Sequence, residues 1–281
     1  VAPLVGKDGN YTDSTRWGGS VAYEGGKYHL FNAEMAHGCT LGVWGYKSTV
    51  AHSVGASPIG PFTRIGVAIP AEAHNPVLSR AVDGTWLIWT CGCPHTPTAG
   101  CAKEAFTCPG GAQASWTTTV YSSMSLDGPW EPHVNMLGSN VTDGGVGTQN
   151  VSPLHKKDGS VFLMFKGPDN NTEASIASAP HWSGPYTMVA KNLFAKYYAK
   201  NITNEDVYWW QSADGAYHAL SHRMSPADRT GAVSGGHAFA MDLTDWGYAE
   251  TPAYTTTVNT VNGDVTLQRR ERPQLLFSDE S

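Results

Sequence analysis

The chain has 281 residues, 41% of them hydrophobic and 11% aromatic, and a formal charge of −6. That is enough apolar material for a full core. The charge is modest and spread out, and the one basic run is RRERP, so a nucleic-acid or anionic-membrane partner is not expected. No stretch has the apolar length of a membrane span, and the start, VAPLVGKDG, lacks the charged and apolar regions of a signal peptide, as a processed chain would read.

In chain order, apolar stretches run into tight turns at Gly25-Gly26, Asp83-Gly84, Asp158-Gly159 and Asp214-Gly215 and return as KYHLF, TWLIW, SVFLMF and AYHAL. Such dipeptides permit the positive φ of two-residue hairpins. Third strands follow as TVAHSV, TTTVYSSM, EASIASA and GGHAFAM, and each unit closes on a stop: SPIGPF ending at Phe62, SLDGPW at Trp130, HWSGPY at Tyr186 and DLTDW at Trp246. A period of roughly 55 to 70 residues suits small sheets better than helical repeats. A fifth first strand begins at RERPQLLF. These units predict an all-β, five-bladed β-propeller in one domain over residues 1–281, with the aromatic stops packed between blades. The last blade is incomplete, because RERPQLLFSDES lacks a return strand. A further chain, a segment beyond Ser281 or residues 1–16 would have to complete it.

The first residues of the innermost strands surround one end of a propeller channel. Aligning the turns puts Trp17-Gly18, His74-Asn75, Gln149-Asn150, Glu205-Asp206 and Glu271-Arg272 there. The ends of second strands add Glu34, Lys166, His222 and Arg223, and His237 opens a third strand on the same side. Polar groups at the ends of apolar strands mark a concavity that binds something.

Four cysteines crowd into one Gly-, Pro- and Thr-rich segment, Cys91, Cys93, Cys101 and Cys108, which reads as a disulfide-stapled loop with Cys39 placed to join it. Zinc is the competing reading through CGCPH, but the one-residue gap between Cys91 and Cys93 is shorter than the usual spacing. No metal is expected on this reading. The sequons at Asn10, Asn140, Asn170 and Asn201 also point to a secreted glycoprotein, and the sequon at Asn150 precedes Pro153 on an inward-facing strand.

HNPVLSR at 74–80, NVSP at 150–153, NEDVYWW at 204–210, the Gly-Pro-aromatic stops and Glu271 to Pro273 together resemble the five-bladed glycosidases of the furanosidase superfamily, especially glycoside hydrolase family 43. The resemblance implies a carbohydrate partner and an inverting mechanism with three carboxylates at the inner strand ends. Glu205 matches the general acid, Asn75 stands where a pKa-tuning Asp is expected, and Trp17-Gly18-Gly19-Ser20 occupies the place of the base. Asp206, Glu271, Glu34 and Asp13 are the alternative bases, and His74, His222 and His237 are further proton carriers. No cofactor is implied, although analogy with related propellers would add a structural calcium in the channel.

Plainer readings stand beside these. Glu205, Asp206, Glu271 and the arginines make structural ion pairs, Asn75 and Asn150 tie strand ends, and His29 and His218 are core histidines. Trp44, Trp116, Trp209 and Trp210 are candidate sugar platforms, against the common role of filling space between blades. Lys166, Arg223 and Arg272 hint at an anionic sugar. Three functions follow: a secreted hydrolase of a plant or algal-type polysaccharide, a non-catalytic glycan-binding or structural glycoprotein, or a uronate lyase using His222, Arg223 and Lys166.

Overall fold

The computed structural model describes residues 4–5, 14–70, 72–104, 106–109, 117–134, 136–138, 141, 148–166, 174–198, 203–224, 235–260, 262–267 and 270–277. The chain forms two compact units. The first comprises Val1–Gly138, Gly144–Gln149 and Leu276–Ser281, and the second Ser139–Asp143 and Asn150–Leu275.

In the first unit, β2 (Arg16–Glu24), β3 (Lys27–Met35), β4 (Ser48–Gly55) and β5 (Phe62–Ile69) form an antiparallel meander, with the short helix α1 (Trp44–Lys47) ahead of β4. A two-residue strand, β1 (Leu4–Val5), adds in parallel to the outer strand β5. The second blade is β6 (His74–Arg80), β7 (Trp86–Cys91), β8 (Thr118–Ser123) and β9 (Glu131–Val134).

In the second unit, β10 (Gln149–His155), β11 (Val161–Lys166), β12 (Ala174–Ala179) and β13 (Thr187–Ala190) make the third blade. The fourth is β14 (Thr203–Gln211), β15 (Tyr217–Met224), β16 (Gly235–Ala240) and β17 (Gly247–Tyr248), and a separate hairpin, β18 (Thr257–Thr260) and β19 (Gly263–Thr266), follows it.

Two sequence expectations are corrected here. The structure has four blades, not five: residues 270–277 carry no strand among the described residues, and the N-terminal strand lies on the first blade and closes no last one. Only the first hairpin has the expected two-residue turn, with φ of 58° at Gly25 and 78° at Gly26.

The other three hairpins share a longer turn. The Ala81 N–H donates to Thr85 O at 2.8 Å and the Gly84 N–H to Ala81 O at 2.9 Å, and the same pair of bonds recurs at Lys156/Gly159 and Ser212/Gly215. Asp83, Asp158 and Asp214 each accept the N–H two residues on through Oδ1, at 2.9, 2.9 and 3.3 Å. The following glycine takes φ 91° in all three. Asp therefore serves the turn by its side chain, and Gly serves it by its backbone.

The stops repeat as closely. Gly60, Gly128 and Gly184 each donate to the residue three back, at 3.0, 3.0 and 2.9 Å, and each precedes a cis proline. Their aromatics fill cores: Trp130 meets Phe31 of the first blade edge-on at 5.7 Å, and Trp246 is wholly buried against Phe194 and Trp209. At roughly 25 cal/mol per Å² of apolar surface, such aromatics are a main source of cohesion between strands and turns.

Candidate functional site

One backbone irregularity recurs near the starts of the first strands of the four blades and at the position in residues 270–277 that the sequence aligns with them. Gly18, Asn75, Asn150, Asp206 and Arg272 have φ of 55°, 54°, 56°, 58° and 57°. Strand pairing slips at three of them, between Trp17 and Ser20, His74 and Val77, and Glu205 and Tyr208. Successive side chains of a regular strand point to opposite faces. A left-handed residue breaks that alternation, so consecutive side chains such as Glu205 and Asp206 come to one cluster. The conformation costs about 1–2 kcal/mol in a non-glycine residue, least for Asn and Asp, and persists where surrounding structure enforces it.

The second unit gathers its aligned residues into one polar cluster. Asp206 Oδ1 accepts hydrogen bonds from Asn150 Nδ2 at 2.7 Å and pairs with Arg272 Nη2 at 2.9 Å, and Arg272 Nη1 also donates to Asn150 Oδ1 at 3.1 Å. The other oxygen, Oδ2, is buried and has no hydrogen-bond partner among the described residues. Burial pushes the Asp206 carboxyl up to about 7, against the pull of Arg272 and with added repulsion from Glu205 and Glu271. The unpaired oxygen and the raised value agree: a proton on Oδ2 removes the buried charge.

Lys166 Nζ donates to Glu205 Oε1 at 2.7 Å, and His222 Nδ1 lies 3.6 Å from Glu271 Oε1. The Glu205 side chain is 24% exposed, compared with 1% for Asp206, so Glu205 is the member open to a ligand. Tyr208 holds the segment carrying Glu271 and Arg272 by donating to Leu275 O at 3.3 Å.

Glu205, Asp206 and His222 each bring a ligand atom within 4.8 Å of the others. Calcium wants six to eight oxygens. Here one donor is an imidazole, and Lys166 and Arg272 already sit on the two carboxylates, so the residues do not fit the channel calcium of the analogy.

The remaining sequence candidates lie elsewhere. In the first unit, Glu34 is paired with Arg16 and Arg64, each at 2.8 Å. Burial raises its carboxyl, but the two guanidiniums outweigh burial and hold it below the usual range. His74 Nδ1 is 2.6 Å from Ser48 Oγ, with Trp44 tilted against its ring, and Asn75 is buried beside it.

In the second unit, Trp209 is buried to 1% in the core and donates to Ser152 O, so it has no free face for a sugar. Trp210 is half-buried and stacks on His218. Arg223 donates to Glu250 O and covers Tyr248, and His237 Nε2 lies 3.1 Å from His218 Nδ1. His237 titrates below its ordinary value through burial and the neighbouring His218.

Asp13, Trp116 and the sequons at Asn10, Asn140, Asn170 and Asn201 lie outside the described residues. Among the described residues no helix is long and apolar enough to cross a membrane.

Two disulfides form, Cys39–Cys101 and Cys93–Cys108. Five cysteines leave one over once Cys39 joins the cluster, and the one left is Cys91, a buried thiol on β7 and not part of a disulfide. The loop they staple also covers Lys47, which is wholly buried and bound to Glu104 and to Thr98 O.

Sequence reasoning missed Glu72, a fully buried acid whose Oε2 accepts the Ser48 N–H at 2.8 Å. Burial pushes it up to about 9. Its neighbours in sequence, Ala71 and Ala73, gave no sign of that beyond their small size.

No family model and no curated sequence matches the chain. Solved structures do. A glycoside hydrolase family 43 β-1,3-galactosidase superposes with TM-score 0.59 at 16% identity, over 94% of this chain and 51% of that one. An exo-β-1,3-galactanase from Phanerochaete chrysosporium gives 0.57 at 13%, over 88% and 52%. A family 117 glycoside hydrolase from the marine bacterium Zobellia galactanivorans gives 0.61 at 14%, over 89% and 74%. The chain thus spans about half the length of the first two. These likenesses establish the fold class as the all-β propeller found in glycoside hydrolases.

Proposed function

We propose that the chain is a glycoside hydrolase-like propeller that cleaves a polysaccharide, with the Glu205–Asp206 pair as its acid. The observation that carries this is a buried aspartate with one oxygen anchored and the other unpaired, held near neutrality beside an accessible glutamate. Burial keeps a proton on Asp206 up to near-neutral pH. Asp206 stores it and Glu205, the exposed member, delivers it to the leaving oxygen. Glu271 beside His222 is the carboxylate that activates water, the second group an inverting hydrolysis requires.

The galactan-directed names of the structural neighbours support a galactan-type substrate. A neutral sugar is favoured over an anionic one. Lys166 and Arg272 are engaged by Glu205 and Asp206, and Arg223 is turned to Glu250 O. The two disulfides and the sequons support secretion.

The non-catalytic glycan-binding reading is favoured by one observation: the Glu205 and Asp206 carboxylates each have a cation bonded to them. Product release from a panel of plant and algal polysaccharides separates the two. The hydrolase reading expects reducing sugar from wild type and a loss of about 10³-fold or more in Glu205→Gln and Asp206→Asn, as for removal of a principal transition-state group. Glycan retention without product, unchanged in both variants, establishes the binding role.

A further inference from the structure

Away from that cluster, in the first unit, two imidazoles on the middle strands of the first blade meet a carboxylate. β3 and β4 pair Phe31 with His52, so His29, two residues earlier on the same face of β3, is the diagonal neighbour of His52. Their ring nitrogens, His29 Nδ1 and His52 Nε2, are 2.9 Å apart. Phe31 stacks on His52 at 4.2 Å and fixes that ring.

The third group comes from the next blade. Asp127 sits in the SLDGPW stop, three residues from Trp130, whose ring packs on Phe31 and so carries the turn to the histidine pair. One ligand atom from each of His29, His52 and Asp127 lies within 4.8 Å of the others. The other two Gly-Pro-aromatic stops have Ile59 and Ser183 at the position of Asp127, so among these three stops the carboxylate is peculiar to the one that faces this pair.

We infer that His29, His52 and Asp127 form a zinc-class metal site that ties the strands of the first blade to the stop turn of the second. Two nitrogens and one oxygen suit zinc, cobalt(II) or nickel(II) and not calcium or magnesium, which prefer all-oxygen sets. A metal 2.0–2.2 Å from each donor takes the place of the contact between the two rings, and rotation of the exposed Asp127 side chain closes the third bond. Water completes the tetrahedron.

The fourth blade supplies an internal control. His218 and His237 occupy the same diagonal on β15 and β16, with Leu220 opposite His237 and the ring nitrogens 3.1 Å apart. The neighbour of that pair is the Trp210 ring, and this pair is not among the groups of three donors found in the described residues.

The test is zinc titration of chelator-stripped protein by calorimetry, with cobalt(II) absorption to read geometry. Wild type is expected to take one equivalent at this site with the intense bands of tetrahedral cobalt, and to gain thermal stability with added zinc. His29→Gln and Asp127→Asn should each weaken binding at least tenfold, whereas His218→Gln, His237→Gln and Glu205→Gln leave it unchanged. Asp127 is exposed, so Asp127→Asn remains a clean probe if a histidine variant misfolds. The inference is overturned by an absence of zinc binding at micromolar concentration, by binding that survives Asp127→Asn and His29→Gln, or by binding lost equally in Glu205→Gln.

Discussion

The strand starts of the two units share a backbone and differ in chemistry. Gly18 and Asn75 in the first unit have the same left-handed φ as Asn150, Asp206 and Arg272 in the second, within 4° across the five. The first unit places no carboxylate at those positions, since its aligned residues are Trp17-Gly18 and His74-Asn75, whereas the second places Glu205, Asp206 and Glu271 there. A repeated fold thus carries a local device that turns neighbouring side chains the same way, and the residues installed on it decide which unit gathers an acidic cluster. The buried acids differ in the same sense. Asp206 is anchored by a guanidinium and an amide, while Glu72 of the first unit has a single backbone N–H and is pushed further from its ordinary value.

The largest expected effect tests the anchoring. Arg272→Ala leaves Asp206 buried with Asn150 alone, and breaking a buried pair costs about 3–5 kcal/mol. Urea unfolding should show that loss at pH 8 and a smaller one at pH 5, where Asp206 holds its proton. In the first unit Arg64→Ala leaves Glu34 with Arg16, and the cost should be about 1 kcal/mol. Equal losses from Arg272→Ala at both pH values would mean that Asp206 does not change its charge between them.

A smaller effect compares the acids by pH. An acid raised in the folded state keeps its proton there while the unfolded chain releases it, so stability falls as pH rises from the unfolded value to the folded one. For Asp206 that window runs from the ordinary 3.8 to about 7, and for Glu72 from 4.5 to about 9. Asp206→Asn should lessen the decline below pH 7, leaving the share due to Glu72, and Glu72→Gln should remove the decline between pH 7 and 9, on the order of a few kcal/mol. A wild-type decline above pH 7 that persists in Glu72→Gln would assign it to another group.

Much of this was legible in the sequence because turn chemistry repeats. Asp-Gly dipeptides mark three of the four hairpins and Gly-Pro-aromatic stops three of the four blades, and counting from the turns led to the left-handed positions near the starts of the four first strands. The fifth blade was misread because RERPQLLF has a strand's apolar content, and nothing in a single strand shows whether a partner pairs with it. Trp209 was misread for a related reason: the left-handed residue at Asp206 shifts the inside–outside alternation, so Trp209 points into the core and Trp210 outward. His29 and His218 read as core histidines by sequence neighbours alone, and cross-strand diagonals revealed their partners.

The smallest effect isolates the shared backbone. Asn75→Gly and Asn75→Ala both delete the amide, so their difference reports the Cβ and not the lost hydrogen bonds. At φ 54° alanine is strained and glycine is not, which favours the glycine variant by about 1 kcal/mol, reduced by the greater freedom glycine has in the unfolded chain. The same pair at Arg272, measured by urea unfolding at pH 5 where Asp206 needs the guanidinium least, should give a similar difference. Matching differences would show that one conformational cost is imposed in both units, while a difference near zero at Asn75 would mean that its left-handed turn relaxes once the side chain is gone and belongs to that asparagine, not to the repeat.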